Sequence, residues 1–159
     1  MQELYSPENR NTGKYKGSPG EVLCAIIAAA EVKQIMKFIA DTHSHTIASG
    51  HAYSTIKEMA AAAKEKGLKA LALTEHAPEM PGTCGLYYFQ NLDVVPREAC
   101  GIRLLMGAEV NIMDPDGTID LPEKTCRDLD IVVASIHLPC YGSDHTEAEN
   151  TRAYVETMK

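Results

Sequence analysis

The stretch LKALALTEH, residues 68 to 76, is a short apolar run that ends in two ionisable side chains. It follows Gly67, a residue type that commonly ends helices, and its apolar composition predicts a buried β-strand from Leu68 to Thr74. Glu75 and His76 then fall at the carboxyl end of that strand. In parallel α/β proteins this is the end at which active sites are built.

The same pattern repeats on both sides of this strand from Met36 onward. Thr55-Ile56-Lys57-Glu58 is a capping box that predicts a helix ending at Gly67, and residues 147 to 159 also have a helical pattern. Three further buried strands are predicted at residues 37–42, 102–112 and 129–137. Alternating helices and apolar strands predict an α/β fold, in which helices cover a parallel sheet.

The first 35 residues lie outside this alternation. Residues 1 to 17 are polar and lack helical or strand periodicity, so they predict a disordered tail. Ser18-Pro19-Gly20-Glu21 is a capping box with proline at the first helical position, which predicts an extension helix over residues 18 to 35. Two interpretations remain open: the helix belongs to the native protein, or the native chain begins at Met36.

Composition excludes several classes of protein. The net charge of -7 and the absence of a long basic run argue against nucleic-acid binding. The longest apolar run, residues 22 to 30, is far below the roughly 20 residues that span a bilayer, and no signal peptide is indicated. The five cysteines form no C-x-x-C pair, which is typical of reduced thiols in a cytoplasmic protein.

Histidine or glutamate occurs at the carboxyl end of every predicted strand. Because residues i and i+2 of a strand point the same way, His43 and His45 can offer two imidazoles to one ion. A carboxylate such as that of Glu109 can bridge two cations about 3.5–4 Å apart. These side chains favour a catalytic site for zinc, manganese or iron. The candidates are His43, His45, Glu75, His76, Glu109 and His137.

Each candidate also has an ordinary structural interpretation. A lone histidine such as His137 is commonly a hydrogen-bonded residue at a strand end, and Glu109 alone could be a buried ion-pair partner. An isolated H-x-H is a weak indication of metal binding. The arrival of six such residues at one edge of the sheet favours the metal site over these separate explanations.

Several motifs together resemble those of the PHP family, named for polymerase and histidinol phosphatase. They are H-S-H-T with a histidine six positions on, T-E-H at residues 74–76, G-A-E-V-N at 107–111 and S-I-H at 135–137. H-A-Y-S-T at 51–55, F-Q-N-L-D-V-V-P-R at 89–97 and D-G-T-I-D at 116–120 are most similar to its YcdX-like single-domain phosphatases. The resemblance covers residues 36 to 159.

The resemblance implies a distorted (β/α)7 TIM-like barrel, of which residues 36 to 159 would supply about four β/α units. It also implies hydrolysis of a small phosphorylated substrate at a trinuclear zinc or manganese centre. Glu75, at a position where the family usually has Asp, would orient a ligand or accept a proton. Arg97 is a candidate contact for substrate phosphate, or else an ion-paired surface arginine. The implied metal ligands are His43, His45 and Glu109 for one ion, Glu109 and His137 for a second, and His51 and His76 for a third.

Family members continue with further strands that carry more ligands, whereas no Asp or His follows His145 here. We therefore expect a C-terminally truncated chain in which each metal position is one ligand short and isolated activity is low. Its open sheet edge should pair with the missing half or with another copy. The alternative to a phosphoesterase is a non-catalytic module that binds metal or a partner chain.

Overall fold

The computed structural model describes residues 38 to 159. The predicted tail over residues 1–17, the extension helix over 18–35 and the possible start at Met36 lie outside the described residues. The strands are β1 (Ala40–Asp41), β2 (Ala70–His76), β3 (Glu98–Ala99), β4 (Ile102–Asn111) and β5 (Ile131–Ser135). The α-helices are α1 (Ile56–Glu65), α2 (Leu86–Gln90), α3 (Glu123–Asp128), α4 (Leu138–Tyr141) and α5 (Glu147–Thr157), and Ile47–Ser49 and Leu92–Val94 are 3-10 turns. None of the helices within residues 38–159 has the length and apolar character that a membrane span requires.

The strands form one sheet that curls into a half-barrel, and β4 is its central member. β2 runs parallel to β4 along one edge, from Ala70 beside Arg103 to His76 beside Glu109, and β1 runs parallel to β2. The other edge of β4 is shared, because β3 pairs antiparallel with its beginning and β5 pairs parallel with its end. The predicted α/β fold, with about four parallel β/α units of a TIM-like barrel, is confirmed.

The two faces of the sheet differ in chemistry. Leu71 and Leu73 of β2 lie on the same face as Leu104 and Met106 of β4, and all four side chains are buried in the main hydrophobic core. Ala60 of α1 packs into this core. The opposite face carries smaller and polar side chains toward the carboxyl ends of the strands, among them Thr74, His76, Gly107, Glu109 and Asn111. The polar face therefore lies inside the half-barrel.

Local sequence signals account for the helix beside β2. The Thr55 side chain accepts a hydrogen bond from the Glu58 backbone amide, and the Glu58 carboxylate accepts one from the Thr55 amide. This capping box begins α1 where the sequence predicts it. Gly67, with φ of 77°, follows the helix and turns the chain into β2, as its helix-ending role predicts.

The predicted strand boundaries differ from the observed ones at two places that matter. β2 extends to His76 instead of ending at Thr74, so Glu75 and His76 are part of the strand and point to opposite faces. β3 was not predicted. It is two residues long and pairs with β4 through a tight turn at Cys100 and Gly101, whose φ angles are 55° and 74°.

Candidate metal centre

Glu109 lies at the centre of a cluster of histidines at the carboxyl edge of the sheet. The β2–β4 register places His76 directly beside Glu109, on the inner face of the half-barrel. His43 and His45 reach the same point from the loop after β1, and His137 reaches it from the residues after β5. Three parallel strands therefore bring their ends together around one carboxylate, as the sequence predicts.

The distances show convergence on both oxygens of this carboxylate. Glu109 Oε2 lies 2.8 Å from His76 Nδ1, 3.2 Å from His45 Nε2 and 3.7 Å from His43 Nε2. Glu109 Oε1 lies 3.3 Å from His137 Nε2. The Glu109 side chain is only 5% exposed, so its charge is held at the buried base of the cluster while His43 lies at the more open side.

The electrostatics of the cluster favour an ionised Glu109 carboxylate beside a neutral His76 imidazole. Burial raises the pKa of Glu109, but Ser135 and the surrounding histidines His45, His76 and His137, in their protonated form, outweigh it, and the pKa falls to about 2. Burial lowers the pKa of His76 to about 4, against the opposing attraction of Glu109. At neutral pH His76 is therefore uncharged and has a lone pair to offer.

The donor set fits divalent cations. Buried atoms with unsatisfied hydrogen-bonding capacity include His76 Nδ1 and Glu109 Oε2, which face each other. His43 Nε2 and His45 Nε2 are 3.1 Å apart, close to the roughly 3.3 Å that separates two nitrogens on one four-coordinate zinc ion. Two groups in the described residues could hold an ion: His43, His45 and Glu109, and His76, Glu109 and His137. Glu109 is common to both, as expected for a bridging carboxylate.

Glu75 supports the cluster from behind instead of facing it. Its side chain is fully buried, and its carboxylate accepts hydrogen bonds from the Thr46 amide, from Thr46 Oγ1 at 2.6 Å and from Ser49 Oγ at 2.6 Å. Ser49 Oγ has donated its only proton to Glu75, so it accepts from His45 Nδ1 at 2.8 Å. This leaves His45 Nε2 unprotonated on the side of Glu109.

Of the two roles predicted for Glu75, this geometry favours orienting a ligand over accepting a proton in catalysis. Because β2 continues through His76, alternation places the Glu75 side chain on the face opposite to His76. The Glu75 carboxylate is enclosed by Thr46 and Ser49, and it is connected to the cluster through the hydrogen bond between Ser49 and His45. The other part of the prediction, that Glu75 orients a ligand, agrees with its bond to Ser49 and with the bond from Ser49 to His45.

Two other predicted residues occupy different positions. The His51 ring lies 4.7 Å from the His76 ring, beside the cluster, but His51 belongs to neither ligand group of the described residues. Arg97 is far from the cluster. Its carbonyl accepts a hydrogen bond from the Leu104 amide, and Leu104 lies about 16 Å before Glu109 along β4. Its guanidinium pairs with Asp130 at the start of β5. This position favours the alternative of an ion-paired arginine over the predicted contact of Arg97 with substrate phosphate.

Comparison with known proteins gives a family. The PHP domain model matches residues 41–158. The chain belongs to the PHP family. It is 49% identical over 124 residues to a protein of Thermoanaerobacter sp. strain X514 named as a probable phosphatase, covering 78% of this chain and 51% of that relative.

Two further relatives are also named as probable phosphatases. The protein of Caldicellulosiruptor saccharolyticus is 51% identical over 119 residues, covering 75% of this chain and 49% of the relative. The protein of Clostridium novyi is 50% identical over 123 residues, covering 77% of this chain and 50% of the relative. This PHP chain spans about half the length of the curated relatives it matches.

Sequence reasoning missed the residues that hold the ligands of this PHP chain in place. Ser49 contacts His45, and Asn111 Oδ1 lies 2.7 Å from His137 Nδ1. Asp120 accepts a hydrogen bond from the Asn111 side-chain amide at 2.6 Å. Asn111 and Asp120 lie within motifs that carry the family resemblance, but neither residue type is distinctive by itself. Only the pairing of strand ends shows which histidine each one contacts.

Proposed function

We propose that this PHP chain provides half of the active site of a metal-dependent hydrolase of phosphate esters. The observation that carries the proposal is the convergence of His43, His45, His76 and His137 on the single buried carboxylate of Glu109. The relatives are named as probable phosphatases, which supports a phosphatase in particular. When bound, divalent cations supply Lewis acidity, which makes water a stronger nucleophile and offsets the charge on phosphoryl oxygens.

The residues of this chain would bind and orient, and the substrate would be a small phosphorylated molecule. Glu109 would join two ions, with His43 and His45 on one side and His76 and His137 on the other. A third ion, held by His51 and His76, is part of the proposal because the family resemblance implies it. Zinc and manganese both suit imidazole and carboxylate ligands. In a chain with net charge -7, bound cations also make the site attractive to an anionic substrate.

The proposal predicts that metal binding and phosphoester hydrolysis depend on the same cluster. The full chain is freed of metal with a chelator, titrated with Mn²⁺ or Zn²⁺, and assayed with a chromogenic phosphomonoester. We expect bound metal and slow, metal-dependent turnover, both lost in His45→Ala. The exposed-helix variant Lys57→Ala is the control and should match the wild type. A chain that binds no Mn²⁺ or Zn²⁺, or turnover unaffected by His45→Ala, would contradict the proposal.

We further propose that additional strands complete the half-barrel at β5. Among the described residues β5 pairs with β4 alone, so its other edge is open for hydrogen bonding. Leu105, Ile131 and Val133 share the inner face with Gly107 and are only partly buried, which leaves apolar surface inside the half-barrel. The occupant we propose is the half of the PHP barrel that the relatives have and this match does not span.

This second proposal is tested by supplying that half. The unmatched half of the Thermoanaerobacter relative is co-expressed with this full chain, and the mixture is analysed by light scattering and assayed for phosphatase activity. We expect a one-to-one complex with tighter metal binding and faster turnover than the chain alone. Self-association of this chain without binding of the other half would contradict the proposal that the other half pairs with β5. The proposal of a metal cluster is tested separately, by the metal titration.

The proposed compartment is the cytoplasm. The four cysteines between residues 38 and 159, Cys84, Cys100, Cys126 and Cys140, are free thiols. Free thiols persist where glutathione and thioredoxin keep the compartment reducing. Microscopy of the tagged full chain in its own cell would test this: a cytoplasmic signal is expected, and an extracytoplasmic one would contradict it.

A further inference from the structure

We propose that Asn111 and Asp120 are positioning residues that fix the tautomer of the neutral His137 ring, leaving its Nε2 free to bind a metal ion. The inference deepens the proposed function and rests on it for its biological meaning. Asn111 is fully buried at the end of β4 and lies between the other two side chains. Its Oδ1 is 2.7 Å from His137 Nδ1, and its Nδ2 is 2.6 Å from Asp120 Oδ2.

The direction of the Asn111 amide follows from its neighbours. Asn111 Nδ2 carries two protons and has two acceptors, Asp120 Oδ2 and the Ala77 carbonyl at 3.2 Å. The reversed amide would place its oxygen against both of these acceptors, which would repel it. The oxygen of Asn111 must therefore face His137. Because that oxygen can only accept, His137 Nδ1 carries the proton and donates it.

Asp120 is itself held in one orientation by backbone groups. Its Oδ1 accepts a hydrogen bond from the Asn111 amide at 2.8 Å, and its Oδ2 accepts one from the Glu79 amide at 2.9 Å. The carboxylate thus ties the loop after β2 to the end of β4. Because both Asp120 oxygens are held as acceptors, the Asn111 side-chain amide has one favourable orientation.

The consequence appears at the other nitrogen of the same ring. With Nδ1 protonated, His137 Nε2 bears a lone pair and lies 3.3 Å from Glu109 Oε1, on the side of the ligand group that also contains His76. Only an unprotonated nitrogen can bind a metal ion. Hydrogen bonds that fix the tautomer of a ligand histidine commonly change metal affinity by about 10–100-fold.

A second chain of hydrogen bonds, through Ser49 to Glu75, fixes the tautomer of His45. There Ser49 Oγ accepts a hydrogen bond from His45 Nδ1, and Glu75 accepts a hydrogen bond from Ser49 Oγ. The two chains of hydrogen bonds end at different histidines and share no residue. Each therefore serves as the matched control for the other, because a general loosening of the fold would disturb both histidines while loss of one hydrogen bond would disturb one.

The test reads the tautomers in the metal-free full chain. Two-bond nitrogen–proton NMR spectra of the histidine rings distinguish Nδ1–H from Nε2–H without any bound ion and without activity. We expect the wild type to show Nδ1–H for both His45 and His137. Asn111→Ala should give a mixture of tautomers at His137 only, and Ser49→Ala should do so at His45 only. Zn²⁺ affinity, measured by competition with a chromogenic chelator, should fall about 10–100-fold in each variant.

The variant Asp120→Asn keeps the test decisive where Asn111→Ala fails to fold. It preserves volume but replaces a carboxylate acceptor by an amide that can also donate, so the Asn111 amide can reverse and the His137 tautomers should mix. An Nε2–H signal for His137 in the wild type would overturn the inference outright. So would an unchanged His137 signal in Asp120→Asn or Asn111→Ala. Absence of metal binding in a wild type with the expected tautomers would instead count against the proposed function and leave the tautomer assignment standing.

Discussion

Replacing Glu109 by glutamine removes one negative charge from the centre of the histidine cluster while keeping the side-chain volume nearly constant. The pKa of about 2 against an ordinary value of 4.5 corresponds to about 3 kcal/mol in favour of the ionised, folded protein at neutral pH. Since the folded-state pKa is depressed, this contribution is present above pH 4.5 and is lost as the pH falls toward 2. Glu109→Gln should therefore destabilise the metal-free chain at pH 7 by up to about 3 kcal/mol.

The same substitution should remove metal from both ligand groups. Loss of an outer hydrogen bond costs about 10–100-fold in affinity, so we expect loss of a bridging ligand to exceed about 100-fold, or roughly 2.7 kcal/mol for each ion. His43→Gln and His137→Gln each touch one group only and should each reduce bound metal at one position. Metal content after dialysis, measured by atomic emission, distinguishes the three variants.

The assay for stability is urea unfolding in the presence of a chelator, followed by circular dichroism. Glu65→Gln, the same chemical change at an exposed position of α1, is the control and should stay within about 0.5 kcal/mol of the wild type. If Glu109→Gln were as stable as the wild type in chelator, the favourable interaction of the carboxylate with the histidines would be refuted. Retention of wild-type metal content would refute the bridging role.

Three further predictions concern stability. Gly107→Ala would place a Cβ atom 2.5 Å from the Ile131 carbonyl oxygen. Thermal unfolding should therefore show a loss of about 1–3 kcal/mol in the free energy of unfolding. The control Gly85→Ala has open space around it and should leave this free energy nearly unchanged. Thr55→Ala removes the capping box of α1 and should cost about 1 kcal/mol with metal affinity unchanged; a weaker Zn²⁺ titration would contradict this. Folding lowers the pKa of His76 from 6.5 to about 4. As the pH falls from 6.5 to 4, the unfolded state therefore binds a proton that the folded state does not. The metal-free chain should lose about 3 kcal/mol of stability over this range. Urea unfolding across that range should show a shallower slope in His76→Gln and the wild-type slope in His145→Gln.

The parts of the fold that the sequence predicts well are those with strong local signals. β2 and β4 are continuous apolar runs, and α1 begins at a capping box, so each was located within a few residues. β3 has only two residues, and its pairing depends on the left-handed backbone at Cys100 and Gly101. A non-glycine residue with positive φ is uncommon, so the composition of the segment gives no warning of that turn.

The candidate site shows the same division. That His43, His45, His76, Glu109 and His137 meet could be predicted, because the carboxyl ends of parallel strands lie at one edge of a sheet. The placement of the Glu75 side chain depends on a boundary: a strand ending at Thr74 would leave Glu75 free to turn toward the site, whereas a strand ending at His76 fixes it on the other face. A difference of two residues in a strand boundary thus decides which face of the sheet carries the Glu75 carboxylate.

The register between β2 and β4 has a consequence for how the chain could be followed as it folds. His76 and Glu109 are direct partners in a run of seven paired positions. A slip of one residue would turn Glu109 to the helix-covered face, and a slip of two would carry it about 7 Å away from His76. A bound Co²⁺ ion, whose visible spectrum depends on its ligands, would thus act as a gauge of strand alignment. Its colour would develop only in molecules whose two central strands have paired at the native position.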